Sequence, residues 1–328
     1  MKHSWLLAIG TVAALATAAQ AAPPYNLTVA GGSARGLLTT LNSGIDAAVA
    51  AQFPGSTITY QTSGGGFANI ALVDRKKVPL GYVVDAEIRM ALDGSPPFRG
   101  KIDSMRTIAY CTGWVPMHLV VTRDFAARHG LRDFADIAKK KPPIRMALQQ
   151  RGNVVSMISE IMLKEIGVSV DNIKGWGGQV MYVGGSEQAP LMADRRSDMM
   201  FNMTPVKGRV ASAVQKARDV VMLGVDRGLV DRVAAKTGLT TFVIPASAYK
   251  WMDRDLYTLS LGISLIAHKD MADATAYDLA KAITEKIDKI RAVHPFIGRL
   301  TREYLVSLGV GDYHPGAVKY YKEAGLMK

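Results

Sequence analysis

Cysteine is almost missing from this chain: Cys111 is the only one in 328 residues. No intramolecular disulfide can form, so the fold has to be held by core burial. Set among apolar neighbours in "RTIAYCTGW", that thiol reads as a small buried hydrophobe with no base at hand to activate it. Metal-ligand spacing is also missing, since His118, His129, His268, His294 and His314 are isolated and no H-x-x-x-H pair occurs. His294 and His314 each precede a proline and read as loop punctuation. The absence of Gly-Lys-Ser/Thr excludes a P-loop, and the absence of G-x-S-x-G removes support for a serine hydrolase. With no paired acid and base either, the sequence reads as a binder and not an enzyme.

Long apolar runs are missing beyond the first twenty residues. Lys2 and His3 lead into "WLLAIGTVAALATA", Ala19-Gln20-Ala21 fits the small-x-small cleavage rule, and Pro23-Pro24 follow. This predicts a secretory signal peptide over residues 1–21; a membrane anchor would need about 20 apolar residues. The mature chain is expected to be soluble and exported.

Negative charge is in short supply. Lys and Arg number 40 against 28 Asp and Glu, a net +12 that becomes +11 once Lys2 leaves. The cations are scattered. Their densest cluster, Lys139-Lys140-Lys141 ahead of Pro142-Pro143, has no interleaved aromatic platforms, which argues against nucleic acid and an anionic membrane face. It reads as the solvated end of a helix, and a field that steers a small anion stays compatible.

What is present is strand–helix alternation. In "NLTVAGGSARGLLTTLNSGIDAAV" a strand passes through a glycine turn into a helix whose Leu37, Leu38, Leu41, Ile45, Ala48 and Val49 share one face. "STITYQT" is a strand, "SGGGFANIALVDRKKV" a helix behind a second glycine turn, and "PLGYVV" a buried strand, with Asp85 read as capping the next helix. A second unit opens with "PIRMAL", the polar turn "QQRGN" and the helix "VVSMISEIMLKEIG", followed by a glycine loop, "KGWGGQVMYVGGSEQ". Alternation of this kind predicts parallel sheets in two facing lobes. "RTIAYCTGWVPMHLVVTRD" is expected to be a pair of strands crossing between them, "YTLSLGISLIAHKD" a return, and "TAYDLAKAITEKIDKI" one amphipathic helix.

A dinucleotide fingerprint would need glycine where Ser33 stands, with a roomier turn than Arg35 allows. The Ser33 hydroxyl and Arg35 guanidinium suit a small anion at a helix N-terminus.

The segments "TVAGGSARG", "TSGGGFAN", "LGYVVDAEI", "MALQQRGN", "MMFNMTP" and above all "YHPGAVKYYKEAGL" resemble the TAXI-type solute receptors of tripartite (TRAP) transporters across nearly the whole mature chain. The resemblance implies an α/β, two-lobed periplasmic binding protein, type II-like, each lobe a mixed, mainly parallel sheet flanked by helices, with a hinge of crossover strands. Residues 25–115 and 255–328 would form lobe 1, and residues 116–254 lobe 2. It implies a monomeric periplasmic protein without cofactor or metal, delivering its solute to TRAP-type membrane permease subunits. Two departures fall at the expected ligand turns. The family's threonine is Ser63 and its usual serine is Gly66, while "QRGN" brings Arg151 and Asn153 where small residues are common.

The expected ligand-binding residues are therefore Ser33, Arg35 and Ser63 in lobe 1, with Thr62 if the alignment shifts by one, and Arg151, Asn153, Asn202 and Thr204 in lobe 2. Trp114 packs either on the ligand's apolar part or in the hinge; Trp176 is a weaker candidate. The expected ligand is a small organic anion, a carboxylate above all, because a guanidinium sits in one turn of each lobe. The alternatives are a ligand-presenting subunit of a signalling system with the same fold and, behind it, an exported enzyme.

Overall fold

The structure, a computed structural model, describes residues 23–32, 34 and 36–328. The expected signal peptide (1–21), Ser33 and Arg35 lie outside the described residues.

The first unit runs β1 (Asn26–Ala30), α1 (Leu37–Gln52), β2 (Thr57–Gln61), α2 (Gly66–Asp74), β3 (Leu80–Val84) and α3 (Asp85–Asp93). β1 pairs in parallel with both β2 and β3, as strand–helix–strand alternation requires. β4 (Met105–Thr122) then leaves this unit as a single strand of 18 residues, not the pair expected. The second unit comprises α4 (Arg123–His129), α5 (Asp136–Lys140), β5 (Arg145–Leu148), α6 (Val154–Glu165), α7 (Val170–Gly175), β6 (Gln179–Tyr182), α8 (Gly185–Ala193), β7 (Met199–Met203), α9 (Arg209–Ala217), β8 (Val220–Met222), α10 (Arg227–Thr237) and β9 (Thr240–Ile244). β10 (Leu256–His268) returns, followed by α11 (Asp273–Glu285), α12 (Ile287–Ala292) and α13 (Pro315–Glu323).

Two further expectations change. The glycine loop at 174–188 holds β6 and the start of α8, because its four-residue strand finds a parallel partner in β5 that no local pattern could announce. The long helix expected at 275–290 breaks at Lys286, which takes φ −106° and ψ 25° between α11 and α12.

Pairing directions place the functional seam. β4 is antiparallel to β10 between Met105 and Pro116, and antiparallel to β7 between Met117 and Val121. β3 is antiparallel to β10, so β1, β2 and β3 run with β4; β5 and β6 run with β7, against it. Val84 lies level with Ile263, itself level with Thr112, and Met203 lies level with Met117. The carboxyl ends of the two parallel sheets therefore face each other across the stretch from Thr112 to Met117. At about 3.3 Å per residue that stretch is about 16 Å long.

Burial accounts for the rest. α1 covers the first sheet with Leu41, Ile45, Ala48 and Val49, all at most 1% exposed. Gly44 lets α12 approach, since a Cβ there would stand 2.8 Å from the Ile290 backbone. The tail closes the same lobe. His314, expected as loop punctuation, is instead the buried N-cap of α13, its Nδ1 accepting from the Gly316 amide. Pro315 opens the helix, where its missing N–H costs nothing. Tyr321 Oη donates to the Ile108 carbonyl at 2.8 Å, pinning α13 onto β4. Cys111 is buried as expected, and burial pushes its thiol up to about 12. Among the described residues no helix is long and apolar enough to cross a membrane.

Candidate functional site

On the first wall, the turn after β2 is built by side chains acting on backbone. Ser63 Oγ donates to the Gly31 carbonyl at 2.6 Å and accepts from the Gly65 amide. Asn69, fully buried on α2, donates to the carbonyls of Gly31 and Tyr82, which joins the ends of β1, β2 and β3 into one unit. Ser63 thus ties the turn after β2 to the residue that follows β1. The first helical bond of α2 runs from Asn69 N to Gly65 O, so the amides of Gly66, Phe67 and Ala68 carry no helical acceptor and give this end its partial positive charge.

The first turn of α3 carries two buried carboxyls, Asp85 and Glu87, and the second lies behind the start of α2. Glu87 Oε2 accepts from the Val84 amide at 3.0 Å, and its carboxyl packs against Gly66, where any Cβ would overlap it. Burial raises Glu87 to about 7 and Asp85 to about 6. Asp85 does not cap α3 as expected. That bond belongs to Glu87, and Asp85 reaches the crossover strands instead.

On the second wall, Gln149 Nε2 donates to Asn202 Oδ1 at 3.2 Å, bringing the ends of β5 and β7 together. Both amide groups converge on Gly185, the first residue of α8: a Cβ there would meet Gln149 Nε2 at 3.0 Å and Asn202 Nδ2 at 3.2 Å. Thr204 is buried beside the seam, its amide bonded to Pro116 O. His118 lies level with Asn202 on β4 and is locked between Pro116 O and Tyr249 Oη, both at 2.9 Å. Burial lowers it to about 4, so it is neutral at physiological pH and holds the loop after β7 through Tyr249, which accepts from Lys207 N.

The remaining expected residues separate from this pair. Asn153 caps α6 by accepting from Val155 N at 2.8 Å. Arg151 is exposed on the rim, its guanidinium 3.7 Å from the centre of the Tyr182 ring, whose hydroxyl donates to Glu160. Trp114 is 6% exposed and packed in the hinge, its Nε1 donating to Phe296 O at 2.9 Å, with Tyr304 edge-on at 4.7 Å. Sequence reasoning missed Gln149, Asn69 and Gly185. Gln149 stood in the "QQRGN" turn already singled out, and Gly185 in a segment read as loop. Two open grooves of about 740 and 370 Å³ flank α2, and the smaller is lined in part by Thr62, Ser63 and Gly64 of the turn on the first wall.

Opposed strand ends around a hinge of two crossing strands define the periplasmic binding-protein fold. Structures with it include MatC from Rhodopseudomonas palustris with bound malate, at 15% identity and TM-score 0.55 over 84% of this chain and 90% of that one. The periplasmic binding protein BugD is 14% identical at TM-score 0.55, over 94% and 100%. A periplasmic transporter aligns at 12% identity and TM-score 0.53, over 93% and 94%. The two-lobed α/β fold expected from sequence is the one found. The chain belongs to the NMT1-like family, whose sequence profile matches residues 29–325.

Proposed function

We propose that this chain is a periplasmic solute-binding protein that closes its lobes on one small organic anion, a carboxylate, and delivers it to a TRAP-type permease. The observation that carries this reading is the pair of opposed strand ends. Near one stands the start of α2, whose first amides have no helical acceptor, and at the other the Gln149–Asn202 amide pair beside the start of α8. Ligands of open α/β sheets sit outside the carboxyl ends of strands, and donors from two walls reward closure only when both touch the same molecule. Arg151, exposed beside Tyr182, supplies positive charge on the second wall, Arg35 is added from the sequence, and the malate bound by MatC is a solute of the same kind. The lobe boundaries proposed with it are 115/116 and 254/255, with the crossover strands β4 and β10 joining the lobes. The TAXI-type motifs favour TRAP delivery, and the N-terminal segment favours export.

Native mass spectrometry of protein purified without refolding, followed by calorimetry against mono- and dicarboxylates, tests the reading. One bound acid per chain is the expected result. Arg35→Ala or Arg151→Ala should each weaken it by about 1.5–3 kcal/mol, the range for a hydrogen bond to a charged group. Tight binding of a neutral or cationic solute would overturn the anion, and turnover of a bound solute would overturn the receptor.

A further inference from the structure

Asp85 plays no part in that reading, and its surroundings are unusual for a carboxyl. It is 1% exposed and opens α3. Its Oδ2 accepts from both crossover strands: from Tyr110 Oη of β4 at 2.8 Å and from the Gly262 amide of β10 at 3.0 Å. Its Oδ1 is buried without a partner. One oxygen doubly used and the other orphaned is the pattern of a group placed for what it holds.

What it holds is one of three register shifts in the β4–β10 ladder, the one that falls inside the seam. Leu261 lies level with Val115 and Ile263 with Thr112, so the single residue Gly262 stands against Gly113 and Trp114. A bulge of this kind interrupts the ladder and leaves backbone groups in search of partners. The Gly262 amide finds Asp85. Both bulge glycines are needed there, since a Cβ on Gly262 would overlap Tyr110 Oη and one on Gly113 would overlap Tyr304 Oη. Tyr304 in turn stacks on Tyr110 with ring centres 5.4 Å apart.

We propose that Asp85 is the clasp of the interlobe hinge, a positioning residue that ties α3 to both crossover strands where their ladder breaks and so sets how freely the lobes rotate. The bulge is where a few residues can absorb the backbone change of closure, and the clasp is the side-chain restraint on it. This inference rests on hinge geometry alone and is independent of the solute.

Hydrogen exchange on the ligand-free protein tests it, comparing Asp85→Ala, Asp85→Asn and Tyr110→Phe with the parent. In Asp85→Ala the Gly262 amide should exchange about ten- to a hundredfold faster, the size set by one lost hydrogen bond to a charged group. Amides of β1 and β5, away from the seam, should keep their protection. Asp85→Asn, which retains an acceptor oxygen, should restore most of it, a rescue that general destabilisation would not show. If Asp85→Ala fails to fold, Tyr110→Phe, which removes one of the two bonds, should give a smaller acceleration confined to the same amides. Unchanged Gly262 exchange, or equal acceleration through both sheets, would overturn the clasp.

Discussion

Asp85 and Glu87 sit two residues apart in the first turn of α3, and burial holds both carboxyls above their ordinary values, at about 6 and about 7. In the unfolded chain they lose their protons near pH 4; in the folded chain they keep them to higher pH. The folded state therefore binds more protons between about pH 4 and pH 7, and stability falls as pH rises through that window, then levels off. The loss is on the order of 3 kcal/mol for Glu87. Melting temperatures recorded from pH 4 to pH 8 should decline, and Glu87→Gln should flatten the upper part of the decline; a parent curve that rises through the window would contradict the assignment. Gly185 makes a second residue-scale prediction. A methyl there crowds the Gln149 and Asn202 amides without touching backbone. Gly185→Ala should weaken solute binding measured by calorimetry while leaving the melting temperature near that of the parent.

Elements here meet at close approaches that single glycines permit. α13 crosses α11 where a Cβ on Gly316 would overlap the Asp273 backbone, which cannot swing aside as a side chain can. Gly316→Ala should cost about 1–3 kcal/mol, the usual penalty for overpacking, read by denaturant titration. A cost near zero would mean that the tail is not held against α11. The "YHPGA" motif that looked so specific in the sequence thus has a local physical meaning: a capping histidine, a proline at the first helical position and a glycine at the crossing. That histidine was misread as punctuation because a cap and a loop both precede a proline, and only the helix that follows distinguishes them.

At the scale of the whole molecule, the two walls belong to sheets joined through β4 and β10, so the proposed function predicts that solute binding and lobe closure are one event. A solute at a hundredfold excess over its dissociation constant should raise stability by about 2.7 kcal/mol. Small-angle scattering should record a more compact particle at the same concentration. A rise in melting temperature without compaction would point to a site on one lobe alone.

The sequence by itself determined the alternation of strands and helices, the glycine turns at strand ends and the two-lobed class, because these follow from side-chain periodicity and from turns that glycine alone accommodates. It also marked Asn202 and Thr204, which end an apolar strand in a short polar loop. Only the tertiary structure decided that Gln149 faces Asn202 across 53 positions of sequence, that "QVMY" is a strand, and that Asp85 bonds to the two crossover strands instead of capping its own helix. Each of these depends on a partner from a distant segment, and a four-residue strand or a lone carboxyl carries no periodic signal that names its partner. What a residue is attached to can be read along the chain; what it bonds to is fixed when the two sheets are brought edge to edge by the strands that cross between them.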